Sequence, residues 1–255
     1  MSSRYSEDSI AMWKAASRAG WKTERLHGWQ IPEWLRTEDV VPYGGFAITS
    51  TETLDLGLLE PPLDWLATLP IDYVLRLIQF TTLGEARLHN VRAFIKPADD
   101  KCFVAKVYNS GMELPSPELL PDSTAVLISE PVVWEAEFRC FALDGRVLTI
   151  SPYLRRGVLA KAEDGGWPAS DDEENTAIEL AERVLADSRV SLPPAVVIDV
   201  GLISGRGWAV VEANPAFASG IYGCDPDSVL RVLRRASQKN TVIANEDKKW
   251  LISRT

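Results

Sequence analysis

Three oxygen donors interrupt two apolar, β-branched runs toward the C-terminal end of the chain. Asp199 lies within Val196-Val197-Ile198-Asp199-Val200-Gly201-Leu202-Ile203, and Glu212 and Asn214 lie within Trp208-Ala209-Val210-Val211-Glu212-Ala213-Asn214-Pro215. The intervening Ser204-Gly205-Arg206-Gly207 predicts an antiparallel hairpin. Glu212 and Asn214 are two apart, so a strand places them on one face, and Asp199 can reach that face from the paired strand. Two carboxylates and an amide oxygen at one spot are hard ligands suited to Mg²⁺, which keeps waters and bridges substrate phosphates. The alternative is a set of strand acids facing solvent, where a lone acid usually lies. Three donors have to be explained together, however, and an apolar strand that turns acids inward must neutralise them. A metal ion does so.

Upstream, Arg92-Ala93-Phe94-Ile95-Lys96-Pro97 and Val104-Ala105-Lys106-Val107-Tyr108 predict two short strands around a polar turn that contains Lys101. Lys96 and Lys106 could each project toward a phosphate chain as a mobile point charge, or each could be a solvated strand residue. In Trp134-Glu135-Ala136-Glu137-Phe138-Arg139-Cys140, alternation puts Glu135, Glu137 and Arg139 on one face. That face is either a row of site residues or a cross-strand ladder of ion pairs. Arg139 could bind phosphate or order Glu137 and Glu212. Asp144-Gly145 signals a turn back into a strand that reaches Tyr153, Arg155 and Arg156. Arg155 is a candidate for holding an acceptor carboxylate or the charge of a tetrahedral intermediate, with Arg156 as its alternative. Arg76 and Arg87 each read either as anion-binding forks or as members of surface ion pairs.

These residues together resemble the ATP-grasp superfamily, whose nucleotide site ends in a strand pair bearing Asp and then Glu-x-Asn as Mg²⁺ ligands. The resemblance covers residues 90 to 236 best. It implies an α+β, ATP-grasp-like fold in which two α+β lobes clasp the nucleotide, preceded by a small α/β domain. Residues 1–90, 91–237 and 238–255 then divide into that N-terminal domain, the ATP-grasp-like domain and a peripheral tail. The resemblance implies ATP and Mg²⁺ as cofactors, Asp199, Glu212 and Asn214 as metal ligands, and Lys96 and Lys106 as phosphate contacts. It also makes Glu130 the adenine-edge residue, Val132 a wall of the adenine pocket and Glu137 the acid that holds the ribose hydroxyls. The implied activity is ATP-dependent ligation of a small-molecule or peptide carboxylate to an amine through an acylphosphate, and a homodimer is compatible with it. A nucleotide-binding scaffold without turnover and a small-molecule phosphotransferase are the alternatives. The turn Pro97-Ala98-Asp99-Asp100-Lys101 departs from the family's glycine-rich phosphate loop.

Composition narrows the partners. With 255 residues and 46% apolar content the chain can bury a sizeable core. Its 27 basic and 36 acidic residues give a net charge of −9, which argues against nucleic acid or an anionic membrane as the main partner. Cys102, Cys140 and Cys224 form no C-x-x-C pair, so neither a zinc knuckle nor a disulfide framework is expected, and a reducing cytoplasm is the simplest setting. His27 and His89 are the only histidines and neither flanks a Ser or Cys motif, which disfavours a Ser-His-Asp or Cys-His hydrolase. No run approaches the length of a membrane span.

The remaining elements must position the site. Helices are predicted over Asp8 to Gly20, Leu63 to Leu69, Val74 to Phe80, Glu173 to Ser188 and Val229 to Ser237, and Thr82 to Val91 reads as helix or loop. Trp21 to Leu26 and Val40 to Gly45 read as strands, the second ending in a glycine turn, and Ala125 to Val132 as a strand leading into a hinge at Glu130-Pro131. The small-residue loop Ala216 to Asp225 follows the metal-ligand candidates directly, which places it at the border of an acceptor pocket.

Overall fold

The computed structural model describes residues 6–26, 31–44, 46–99 and 101–252. His27, Gly45 and Asp100 lie outside these. The described elements run in the order α1 (Glu7–Arg18), α2 (Phe46–Leu54), β1 (Leu56–Leu58), α3 (Trp65–Thr68), α4 (Ile71–Val74), β2 (Ile78–Thr82), α5 (Leu83–Arg87), β3 (Ala93–Pro97), β4 (Lys106–Tyr108), β5 (Ala125–Ser129), β6 (Trp134–Leu143), β7 (Arg146–Arg155), β8 (Val158–Leu159), α6 (Asp171–Ala186), β9 (Ala195–Ile203), β10 (Gly207–Asn214), α7 (Pro226–Ala236) and β11 (Ser237–Lys239). A larger sheet has the strand order β10-β9-β6-β7-β8, a smaller one β2-β5-β3-β4, and β1 pairs with β11. All the pairings are antiparallel. None of the described helices is long and apolar enough to cross a membrane.

The two faces of the larger sheet follow from strand alternation. Phe138, Cys140 and Ala142 of β6 and Val196, Ile198 and Val200 of β9 bury one face under α6, through its Ala177, Leu180, Ala181 and Val184. That helix starts at a capping box between Ser170 and Glu173, with four acids in its first turn at the positive end of its dipole. On the other face Phe141 and Val197 are buried under α7 and α1, through Val229, Leu233, Met12 and Ala16. Neither helix covers the rest of that second face, where Glu137, Arg139 and Asp199 lie.

Several expectations change. Trp21–Leu26 and the described part of Val40–Gly45 form no ladder. Their apolar residues Trp21, Val41 and Tyr43 pack instead against the cluster beneath α7. Val74–Phe80 is not one helix: α4 ends at Leu75, whose φ is +49°, and Ile78 to Thr82 pair with β5. Tertiary pairing of β-branched and aromatic residues wins over local periodicity there. The expected boundary at residue 90 falls within the smaller sheet, since β2 and β5 pair across it. Residues beyond 237 pack back on the chain: β11 pairs with β1, the Leu59 amide donates to Ala236 O and the Glu60 amide to Trp250 O. Trp250 is 8% exposed, and the Asp247 carboxylate accepts from Arg235 Nη2 at 2.5 Å.

Candidate functional site

An irregularity in the hairpin sets the site. From Gly207 opposite Ile203 to Val210 opposite Val200, β10 and β9 pair residue for residue, after which Glu212 stands opposite Asp199 and Asn214 opposite Val197. Val211 is therefore an extra residue, a β-bulge. Without it the ladder would continue with Glu212 opposite Ile198, on the face buried under α6. The bulge turns Glu212 and Asn214 to the face of Asp199, and β6 places Arg139 opposite Asp199 from the other side. The close packing of β9 on β6 depends on Gly201, where a Cβ would lie 2.6 Å from Ala136 O and 2.9 Å from the Trp134 ring.

A row of contacts runs along this face. Arg139 grips the fully buried Asp199 with two bonds, Nε to Oδ1 at 2.9 Å and Nη2 to Oδ2 at 2.6 Å. Its third nitrogen, Nη1, donates to Gly220 O at 3.1 Å, and the guanidinium carbon lies 5.2 Å from the Tyr153 ring and 5.1 Å from the Tyr222 ring. Burial works against charge on Arg139, but Asp199 outweighs it and raises the Arg139 pKa. Asn214 Nδ2 donates to Glu212 Oε1 at 2.9 Å and to Asp199 Oδ2 at 3.3 Å. Lys96, on β3 of the smaller sheet, donates to Glu212 Oε2. Burial acts to raise the Glu212 pKa, yet the Lys96 ammonium and the Asn214 amide hold it down at about 2. The structure thus brings Lys96, Glu212, Asn214, Asp199 and Arg139 together across the two sheets.

Glu137 lies one alternation further along β6, buried, and accepts from Tyr153 Oη at 2.9 Å. Burial raises its pKa to about 7 against the hydrogen bond from Tyr153, with Asp199 and Glu212 adding to the rise. Tyr153 stacks on Tyr222 at 5.2 Å, and Trp167 meets Tyr222 edge-on at 5.4 Å. The loop expected to border an acceptor pocket is pinned beside this cluster: the Ile221 amide donates to Asp8 Oδ2 at 2.9 Å and Tyr43 Oη to Ser219 O at 3.2 Å. Nothing in the sequence linked Asp8 or Tyr43 to this loop, because the contacts span the length of the chain.

Other candidates lie elsewhere. Lys106 is opposite Ile95 in the ladder and shares that residue's face, whereas Lys96, one residue on, has the other face. Lys106 is exposed, with its Nζ 4.8 Å from the Tyr108 ring, and is not brought to Glu212. Arg155 is opposite Ala136 and therefore on the α6 side of the sheet, where it makes a two-pronged pair with Glu173 at 2.7 and 3.0 Å. Arg156, at φ +49°, pairs with Glu135 at 2.6 Å. Neither arginine joins the row, because bulges in the β6 ladders change the phase that simple alternation assumed. Glu130 and Val132 lie in the connection from β5 to β6 that joins the two sheets. The Glu130 carboxylate pairs with Arg206 at 2.5 and 2.9 Å, and Val132 is half-buried. Arg87 forms the ion pair foreseen for it, with Asp122. Arg76 does not: it is 6% exposed and donates to the carbonyls of Val210 at 2.7 Å and Val211 at 3.0 Å.

Among the described residues no three His, Cys, Asp or Glu side chains form a metal-binding cluster, so the candidate set depends on an amide oxygen. Glu212 and Asn214 fit a hard divalent cation: they are adjacent, partly exposed, and a cationic ammonium already sits on Glu212. Asp199 fits less well, since Arg139 takes both its oxygens.

No curated protein sequence matches the chain. A RimK domain ATP-grasp protein from Sphaerobacter thermophilus DSM 20745 is similar in structure at 14% identity, with 90% of this chain and 98% of that chain covered and a TM-score of 0.50. D-cycloserine synthetase DcsG is similar at 12% identity, with 89% and 93% covered and a TM-score of 0.53. At such identities the likeness shows the fold, two lobes built on antiparallel sheets, as the resemblance implied. A family model of the ATP-grasp domain, the second family of its clade, matches residues 73–232, more than half of the chain, and the protein belongs to that ATP-grasp family.

Proposed function

We propose that this protein is an ATP-dependent ligase that joins a carboxylate to an amine, with ATP and Mg²⁺ bound between the smaller and larger sheets. The observation that carries the reading is the cluster of Glu212 and Asn214 beside the Asp199–Arg139 pair, faced by Lys96 from the opposite sheet. Glu212 and Asn214 would hold the cation, which when bound neutralises phosphate charge. Lys96 supplies a mobile positive charge for the phosphate chain. Arg139 anchors Asp199 and offers a rigid guanidinium at the border of the acceptor loop. Glu130 and Val132 line the hinge between the sheets, suited to an adenine edge, and Glu137 with Tyr153 offers hydrogen bonds to ribose hydroxyls.

In the reaction a substrate carboxylate oxygen attacks the γ-phosphorus, the bond to the β-phosphate oxygen breaks, and ADP leaves. The amine nitrogen of the second substrate then bonds to the acyl carbon, its proton is released and phosphate departs. Positioning and electrostatic stabilisation carry such a reaction, so the chain needs no nucleophile of its own. A cytoplasmic protein acting on a small molecule or a peptide suits this chemistry.

The test is calorimetric titration of a non-hydrolysable ATP analogue with Mg²⁺ and with EDTA into wild type and Glu212→Gln, followed by ADP assays with panels of carboxylates and amines. Mg²⁺-dependent binding that Glu212→Gln loses, together with ADP formation that needs both substrates, is the expected outcome. A second reading, nucleotide binding without turnover, draws on the occupation of both Asp199 oxygens by Arg139. It predicts the same binding with no ADP from any pair.

A further inference from the structure

Burying a guanidinium is costly, and a charge placed among carbonyls is not there to form an ion pair. Arg76 is 6% exposed, and it belongs to none of the ion pairs of the described residues. Its fork is committed to backbone: Nη1 to Val210 O at 2.7 Å and to Val74 O at 3.0 Å, and Nη2 to Val211 O at 3.0 Å. Val210 and Val211 are the residues at which the β9–β10 register slips. A bulge takes two consecutive carbonyls out of the regular ladder pattern, and a planar fork with parallel donors satisfies both, which a lysine's single ammonium does less well. Arg76 is itself held in place. It follows Leu75, whose left-handed φ of +49° ends α4, and its guanidinium carbon lies 5.0 Å from the Trp134 ring.

We propose that Arg76 is the positioning residue of the site: by clasping the carbonyls of Val210 and Val211 it holds the extra residue in β10, and the bulge keeps Glu212 and Asn214 on the face of Asp199. Arg76 acts through the backbone of β10 and has no contact of its own with nucleotide or metal. The inference rests on the proposed nucleotide site for its functional consequence, and on the register alone for its structural one.

Deleting Val211 offers a discriminating test. Without that residue Glu212 follows Val210 directly, and a regular ladder then places it opposite Asp199 with no bulge to hold. Arg76→Met, Val211 deletion and their combination are compared with wild type in two measurements. Hydrogen–deuterium exchange of the β10 amides, made without ligand, reads the strand: exchange is expected to quicken in Arg76→Met and to return toward wild type in the combination. Calorimetric titration of Mg²⁺ with a non-hydrolysable ATP analogue reads the site, where Arg76→Met is expected to weaken binding by about tenfold or more, the range found when residues that orient metal ligands are removed. The combination is expected to recover most of that loss. Should Arg76→Met fail to fold, Arg76→Lys, which keeps the charge without the fork, carries the same comparison. Wild-type exchange in a folded Arg76 variant overturns the proposal, as does a binding loss that the deletion leaves unrepaired. Wild type that binds no nucleotide, with the exchange pattern as expected, refutes the nucleotide site and leaves the clasp standing.

Discussion

Arg139 and Asp199 face each other across the β6–β9 ladder through two hydrogen bonds of 2.9 and 2.6 Å, and Asp199 has no solvent exposure at all. The pair stands at the centre of the row. Gly220 lies at one end of it and Lys96 at the other, so whatever loosens Arg139 reaches both the acceptor loop and the cation-binding candidates.

Breaking this pair from one side leaves a buried, uncompensated charge. Arg139→Met is expected to destabilise the fold by about 3–5 kcal/mol, and Arg139→Met combined with Asp199→Leu to recover much of that, because two apolar groups need no partner. Urea denaturation of the three proteins checks this. A double variant no more stable than Arg139→Met would show that the pair is not the source of the loss.

Glu137 gives the fold a pH dependence. Its pKa of about 7 lies above the ordinary 4.5, so between these values the folded chain holds a proton that the unfolded chain has released. Stability from this group is complete below pH 4.5 and falls as pH rises through 7, by about 3 kcal/mol at most. Glu137→Gln removes the effect. Urea midpoints at about pH 5 and about pH 8 are expected to differ more in wild type than in Glu137→Gln, and equal differences would refute the assignment.

The two lysines should separate cleanly. Lys96→Met is expected to weaken binding of a Mg²⁺-bound ATP analogue by about tenfold or more, since its charge reaches the Glu212 cluster, while Lys106→Met should change it less than about twofold. Titration of both variants decides. Comparable losses would mean that the β3–β4 hairpin rearranges on binding and brings Lys106 round.

The segment after α7 belongs to the core. Trp250→Ala is expected to cost about 3 kcal/mol or more, the range for emptying a buried aromatic site, with the loss visible in the thermal midpoint. A variant as stable as wild type would return the segment to the periphery.

Much of the site was legible because it is local. The hairpin, the shared face of Glu212 and Asn214, the strand carrying Lys96 and the three helices packed on the larger sheet follow from periodicity and turn residues within short windows. What was not legible depends on phase or on distance. Alternation counts in twos, and one extra residue at Val211 or near Glu137 inverts every assignment beyond it; this is why Arg155 turns up beside Glu173. Lys96 and Lys106 looked equivalent because their faces are set by which residue of β3 each one meets. Arg76, Asp8 and Tyr43 act on segments far along the chain, and no spacing rule connects them to those segments. Trp21–Leu26 and Val40–Val41 had the composition of strands but no partner edge.

Gly201 limits how this protein can change. Any side chain at that position would press on the Ala136 carbonyl and the Trp134 ring, and relief would come only from parting β9 and β6, the two strands that carry Asp199 and Arg139. The substitution touches no residue of the row, yet it would widen the gap that the Arg139 fork has to span. In a lineage free to drift at surface positions, this small atom count is a fixed point: the site could be lost by adding one methyl group at a residue with no chemistry of its own.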